Sequence, residues 1–203
     1  MKKSFDFVLD DLIENSSLKD LEKLFLSLKI KNVFVLREIN KKEDLSFDFQ
    51  VPKSSKINFY KGYLLKDPQL FHLYNKEEIV LVNSGSLKNN SFISNHKKIF
   101  FLKDPFSKKL CFDEQNARSC YQNKKKVVFN INLLRDADIN YLKQFNFIIF
   151  LLKLHRVDMV FSSFAKTKEE LIDYKILFSF LKNFNLEESI INRFLSKDIL
   201  KTD

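Results

Sequence analysis

Glycine is scarce in this chain, with 2 copies in 203 residues, and tryptophan is absent. Gly62 and Gly85 alone cannot build the glycine-rich phosphate cradle of a P-loop or the fingerprint of a dinucleotide site. A nucleophile elbow needs glycine flanking its serine, and neither Ser162 nor Ser163 has it. Cysteine occurs twice, as Cys111 and Cys120. Their spacing is not C-x-x-C, so it argues neither for a disulfide scaffold nor for a zinc site, and a reducing compartment fits best. Long hydrophobic runs are also missing. The longest charge-free apolar stretch, Gln144 to Leu152, falls far short of the roughly 20 residues a membrane span needs. The opening MKKSFDFVLDD has lysines but no apolar h-region, so no signal peptide is expected. These absences point to a cytoplasmic protein with no membrane association.

What is present is apolar and basic. Hydrophobic residues make up 45%, enough for a real core, and 23 of them are phenylalanine. Thirty-five Lys and Arg against 26 Asp and Glu give a net charge of +9. Part of that balance fits the Lys, Asn, Ile and Phe bias of an AT-rich genome. The rest suggests an anionic partner, with nucleic acid as the first candidate.

Short Phe/Val/Ile-rich runs alternate with longer amphipathic ones. The expected strands are Phe5–Leu9, Asn32–Leu36, Ile57–Leu65, Ile79–Val82, Ile99–Leu102, Val127–Asn132 and Asp158–Ser162. Several are continuously apolar, as strands covered on both faces are. Helices are expected at Ser17–Leu28 with Ser17 as N-cap, after Asp67-Pro68, at Phe112–Tyr121 and at Ile139–Leu154. Capping-box spacing at Thr167–Glu170 and Asn185–Glu188 predicts two more. The repeated βα pattern argues for a parallel sheet with helical crossovers. Seven or so units without a linker favour one distorted (β/α) barrel over residues 1–203, with an open doubly wound sheet as the alternative. Within Ile139–Leu154, the segment QFNFIIFLL is apolar nearly all round. It is covered either by the chain's own C-terminal helix or by a partner.

The histidines, His72, His96 and His155, are scattered. Metallohydrolases of the polymerase-and-histidinol-phosphatase barrels begin with His-x-His on the first strand. Here that strand reads Phe5-Asp6-Phe7-Val8-Leu9, and Asp6 and Asp10 have no evident nitrogen partner. No catalytic or metal-ligating residue is assigned.

From Val127 to Leu200 the chain resembles the protein component 3 family of ribonuclease P, the barrel-shaped subunit of archaea and eukaryotes. VVFNINLLR (Val127 to Arg135) is similar to the family's strand ending in Leu-Leu-Arg. LLKLHRVDMVFSSFA (Leu151 to Ala165) aligns without a gap to its LARKYGVPLVVSSGA segment. FLKNFNLEESIINRFLSKDIL fits its tail, and FYKGYLL, EEIVLVNSGS, KKIFFLKDP and FDEQNARSCY follow in order upstream. Departures from the pattern are Phe164 for the family's glycine and Asp158 for its proline. Leu171, Ile172 and Tyr174 replace basic and proline residues, and QFNFIIFLL replaces an Arg-rich helix.

The resemblance implies a distorted barrel related to the polymerase-and-histidinol-phosphatase barrels. It implies a subunit that assists a catalytic RNA in removing the 5′ leader of precursor tRNA. Its expected partners are the ribonuclease P RNA, precursor tRNA and a small RNA-binding-like protein subunit. No cofactor is expected on this chain, and magnesium is expected on the RNA. It gives Ser162 and Ser163 no nucleophilic role. Strand C-termini of a parallel barrel open on one rim, which nominates Arg37, Lys66, Lys103, Arg135 and Lys166 as RNA-binding residues. Lys124-Lys125-Lys126 precedes its strand, falls on the opposite rim and is a weaker candidate. A metal-free barrel scaffold remains an alternative. A barrel metallohydrolase is the more distant one, disfavoured by the missing His-x-His.

Overall fold

Apolar runs form most of the strands, because their central residues are buried on both faces, while the third strand, Asn58–Leu65, opens with exposed and half-buried residues. The structure, a computed structural model, describes residues 4–46, 49–73, 79–106, 111–135 and 137–196. The strands are β1 (Ser4–Leu9), β2 (Ile30–Ile39), β3 (Asn58–Leu65), β4 (Ile79–Asn83), β5 (Phe101–Lys103), β6 (Lys126–Asn130) and β7 (Asp158–Ser162). They pair in sequence order in one seven-stranded sheet, and every pair is parallel. The sheet curls into a nearly closed barrel, the expected fold class. β6 stops two residues earlier than its sequence suggests. Asp104 Oδ1 takes the Asn130 N–H at 2.8 Å, and the chain turns into a 3-10 segment, Ile131–Leu134.

The crossovers carry α1 (Asp10–Glu14), α2 (Leu18–Ser27), α3 (Leu87–Asn95), α4 (Glu114–Gln122), α5 (Ile139–Leu154), α6 (Tyr174–Lys182) and α7 (Glu188–Phe194). Ser17 caps α2, accepting the Asp20 N–H at 3.2 Å. Three helix expectations need correction. Asp67-Pro68 opens only a 3-10 segment, Pro68–Leu73. Thr167 makes no cap bond, and α6 starts seven residues after it, capped by Asp173. The reason lies in Glu170, whose carboxylate turns back to the Lys166 N–H at 2.6 Å while its carbonyl accepts from Asn132 at 2.8 Å. Asn185 is no N-cap either: it holds φ 54° at the end of α6, and Glu187 precedes α7. Helix α3 was not anticipated. Its buried face mixes Asn90 and Ser94 with Ile93, so no apolar period marks it. The Asn90 amide nitrogen donates there to the Pro105 and Cys111 carbonyls at 2.9 and 2.6 Å.

Phenylalanine does much of the packing between sheet and helices. Phe129 stacks on Phe161 at 5.2 Å, and Phe145 of α5 meets Phe129 edge-on at 5.2 Å and Phe184 at 5.0 Å. Burying such a side chain contributes about 1.5–3 kcal/mol. The other face of α5 stays bare. Helix α7 packs on α6 and β7, leaving Phe147 41% and Phe150 57% exposed. Of the segment QFNFIIFLL, Phe145, Ile148, Ile149, Leu151 and Leu152 are buried, and among the described residues no packing of α7 covers Phe147 and Phe150.

Candidate functional site

The two serines lie at the seam where the barrel closes. β7 and β1 share no full ladder. One parallel bridge joins Val8 and Ala165, with the Leu9 N–H on the Ala165 carbonyl at 2.9 Å. Asp6 supplies the rest. Its buried carboxylate accepts from the hydroxyls of Ser162 and Ser163 and from the Ser163 N–H at 2.8 Å. Ser162 Oγ in turn accepts the Phe7 N–H at 2.6 Å. Burial raises the Asp6 carboxyl from 3.8 to about 6, against the pull of these bonds. With both hydroxyls donating to a carboxylate and no basic side chain on either, the serines close the barrel rather than attack a substrate. Phe164 follows in the left-handed region at φ 50°, a conformation suited to glycine. Its ring stacks on Phe7 at 5.6 Å.

Above the seam, the strand C-termini open into a cavity of about 540 Å³ lined by Lys66, Lys103, Lys166, Asn83, Asn130 and Asn132 among others. A neighbouring hollow of about 420 Å³ is lined by Arg37, Lys166 and the carboxylates Asp10, Asp11, Glu38 and Asp44. The fold thus brings the expected cations to one rim, but most of them face carboxylates. Arg37 binds Asp10 at 2.6 Å and Glu14 at 3.0 Å, which also gives Asp10 the nitrogen partner its sequence context hid. Its guanidinium lies 4.8 Å from the Phe49 ring centroid. Lys66 pairs with Glu38 at 2.7 Å and Lys166 with Asp11 at 3.9 Å. Lys103 is buried, pairs with Asp104 and sits 4.6 Å over the Phe164 ring. Among the described residues Arg135 alone of the five has no carboxylate partner; it reaches the Glu169 carbonyl at 3.4 Å. The carboxylates were visible in the sequence, directly after the same strands, but strand ends scanned for positive charge do not register them.

The Lys124–Lys126 run lies at the start of β6, on the opposite rim. Lys124 is exposed, whereas Lys125 and Lys126 are buried. Lys125 donates to the His96 and Ile99 carbonyls, and burial pushes its ammonium down to about 8. His96 packs against Phe71 and Phe92, each at 5.3 Å. His155 lies 3.6 Å from Glu114. Cys111 and Cys120 are buried and not joined in a disulfide, with the Cys120 thiol pushed up to about 12 by burial. Among the described residues no group of three or more His, Cys, Asp or Glu could hold a metal ion, and no helix is long and apolar enough to cross a membrane.

No protein-family model matches the chain, and no curated protein sequence does. Solved structures do. A chain in the cryo-EM structure of archaeal ribonuclease P with mature tRNA superposes with a TM-score of 0.76 at 21% identity, covering 94% of this chain and 86% of that one. An uncharacterized protein matches at a TM-score of 0.61 and 9% identity, covering 98% of this chain and 73% of that one. A prolidase crystallised with N-methylphosphonate-L-proline matches at 0.58 and 9%, with the same coverage. At these identities the likenesses establish the barrel fold.

Proposed function

We propose that this chain is a protein subunit of ribonuclease P that assists the catalytic RNA in removing the 5′ leader of precursor tRNA. The observation that carries the reading is the likeness, across 94% of the chain, to a chain of archaeal ribonuclease P. The unbroken SSFA alignment at the barrel seam supports it from the sequence side. Catalysis belongs to the RNA and its bound magnesium, and this chain contributes folding and positioning. Its partners are the ribonuclease P RNA, precursor tRNA and a small RNA-binding-like protein subunit, and its compartment is the cytoplasm. Arg37, Lys66, Lys103, Arg135 and Lys166 are the C-terminal-rim contacts of this reading. Arg135 ranks first because no carboxylate among the described residues pairs with it.

Reconstitution tests the proposal. Ribonuclease P RNA, the small protein subunit and this chain are combined with precursor tRNA, and 5′ leader release is followed while magnesium is varied. The chain should raise the cleavage rate and lower the magnesium requirement, and should release no leader without RNA. Multiple-turnover cleavage by RNA-free protein, or no effect on the RNA's activity, would overturn it. The paired rim charges favour one second reading, a barrel scaffold that binds no RNA.

A further inference from the structure

The turns at the strand N-termini carry a different charge pattern from those at the C-termini. The turn into β2 brings Lys29 and Lys31, and the turn into β3 brings Lys53 and Lys56. Lys97 and Lys98 precede β5, Lys124 precedes β6, and Arg156 precedes β7. All are exposed. Residues 28–31, 51–57, 96–100, 123–125 and 155–157 contain no Asp or Glu. On the other rim, Asp10, Asp11, Asp44, Asp104 and Glu170 sit among the cations. Lys31, Lys53, Lys97, Lys98, Lys124 and Arg156 have no ion-pair partner among the described residues, while Lys56 reaches Glu22 at 3.6 Å.

Strand order gathers these turns into two arcs of the same rim. Register places Phe101 beside Lys126 and Lys126 beside Asp158, so the turns at 97–98, 124 and 156 are consecutive around the rim. Asn32 lies beside Asn58, which sets the turns at 29–31 and 53–56 side by side. Parallel neighbours stand about 4.8 Å apart, so each arc is close-spaced, and β4 separates the two in the strand order.

The arcs are held in place. Lys125 ties the Lys97–Lys98 turn through the His96 and Ile99 carbonyls. Asn123 ties the next turn to α3 by donating to the Ser94 carbonyl at 3.0 Å. Lys29, Lys124 and Arg156 occupy the left-handed region, with φ 61°, 51° and 56°, directly after their helices. After α4 and α5 the next residue closes a Schellman motif, Lys125 N–H to Cys120 at 2.7 Å and Val157 N–H to Leu152 at 2.8 Å. Glycine is the favoured residue there. Helix dipoles favour cations at these ends, but they do not account for Lys53 and Lys56, which follow no α-helix. Beside these turns, Phe92 is 43% and Tyr121 55% exposed, flat surfaces on which an unpaired base can stack.

We propose that the N-terminal rim of the barrel is the principal RNA-backbone-binding surface of this protein, with Lys31, Lys53, Lys97, Lys98, Lys124 and Arg156 contacting phosphates. The partner is a folded RNA. That it is ribonuclease P RNA rests on the function proposed above, while the surface itself does not. The test compares two folded fourfold variants. K97E/K98E/K124E/R156E changes the N-terminal rim, and K41E/K42E/R135E/K166E changes the C-terminal rim by the same charge. Binding to a transcribed archaeal ribonuclease P RNA and to a short RNA duplex of unrelated sequence is measured against salt, and circular dichroism checks the folding of each variant. The N-terminal-rim variant should lose about 100-fold in affinity for both RNAs and about 3.6 units of log–log salt slope, at about 0.9 units for each of four lost phosphate contacts. The C-terminal-rim variant should lose far less. An N-terminal-rim variant that binds like wild type, equal losses from both variants, or wild-type protein that binds neither RNA overturns the surface. Equal wild-type affinity for the two RNAs, lost in the N-terminal-rim variant, keeps the surface and counts against the ribonuclease P reading.

Discussion

Replacing Asp6 by Asn separates the two forces acting at the barrel seam. Asparagine keeps an acceptor for the Ser163 N–H and nearly the same volume but cannot ionise. In the wild type, burial raises the Asp6 carboxyl from 3.8 to about 6. The folded state therefore favours the neutral acid, and the sign follows. The contribution of Asp6 to stability is fully present below about pH 4 and is lost as pH rises through about 6. A shift of about 2 units corresponds to about 3 kcal/mol. Urea unfolding of wild type and Asp6→Asn from pH 3.5 to 7.5, followed by far-ultraviolet circular dichroism, reads it directly, because other carboxylates cancel in the difference. Wild type should lose about 3 kcal/mol relative to the variant across that range, mostly between pH 4 and 6.5. A flat difference would mean Asp6 titrates normally. A difference of opposite sign would mean the serine hydrogen bonds outweigh burial. Either result refutes the argument.

Other substitutions probe separate parts of the account. A Cβ at Gly62 would lie 2.7 Å from Leu36 Cδ2 and 2.9 Å from the Ile79 carbonyl, so Gly62→Ala should cost about 2 kcal/mol in urea unfolding. Phe147→Ser with Phe150→Ser should leave the melting temperature nearly unchanged, since both side chains are largely exposed; a collapse of the fold would place these two rings in the core as well. Lys124→Gly and Arg156→Gly should each stabilise the protein by about 0.5–1 kcal/mol by relieving left-handed backbone, while weakening RNA binding. No gain in stability would show that these turns carry no strain.

The strands were legible because burial on both faces leaves continuous apolar runs, and Asp158–Ser162 was placed to the residue. Helix α3 was not legible because Asn90, whose amide nitrogen reaches backbone carbonyls distant in sequence, and Ser94 stand where apolar residues would mark a face. Thr167 and Asn185 mimic caps, but tertiary bonds of Glu170 and the left-handed turn at Asn185 decide those ends. Arg37, Lys66, Lys103 and Lys166 share the C-terminal rim, as their places after strands implied. Their carboxylate partners, such as Asp10 for Arg37 and Glu38 for Lys66, emerge only once neighbouring strands are in register. Lys97, Lys98 and Arg156 were as plain in the sequence as the others. Only the strand order makes them one surface.

The proposed role as a ribonuclease P subunit is tested most directly by affinity isolation of the tagged protein from its native cells. RNA and protein recovered under mild salt should be sequenced together. The expected result is ribonuclease P RNA, with precursor and mature tRNA, and a small protein subunit in constant ratio to the tagged chain. Recovery of the chain free of RNA, or with RNAs showing no enrichment of ribonuclease P RNA, would contradict it.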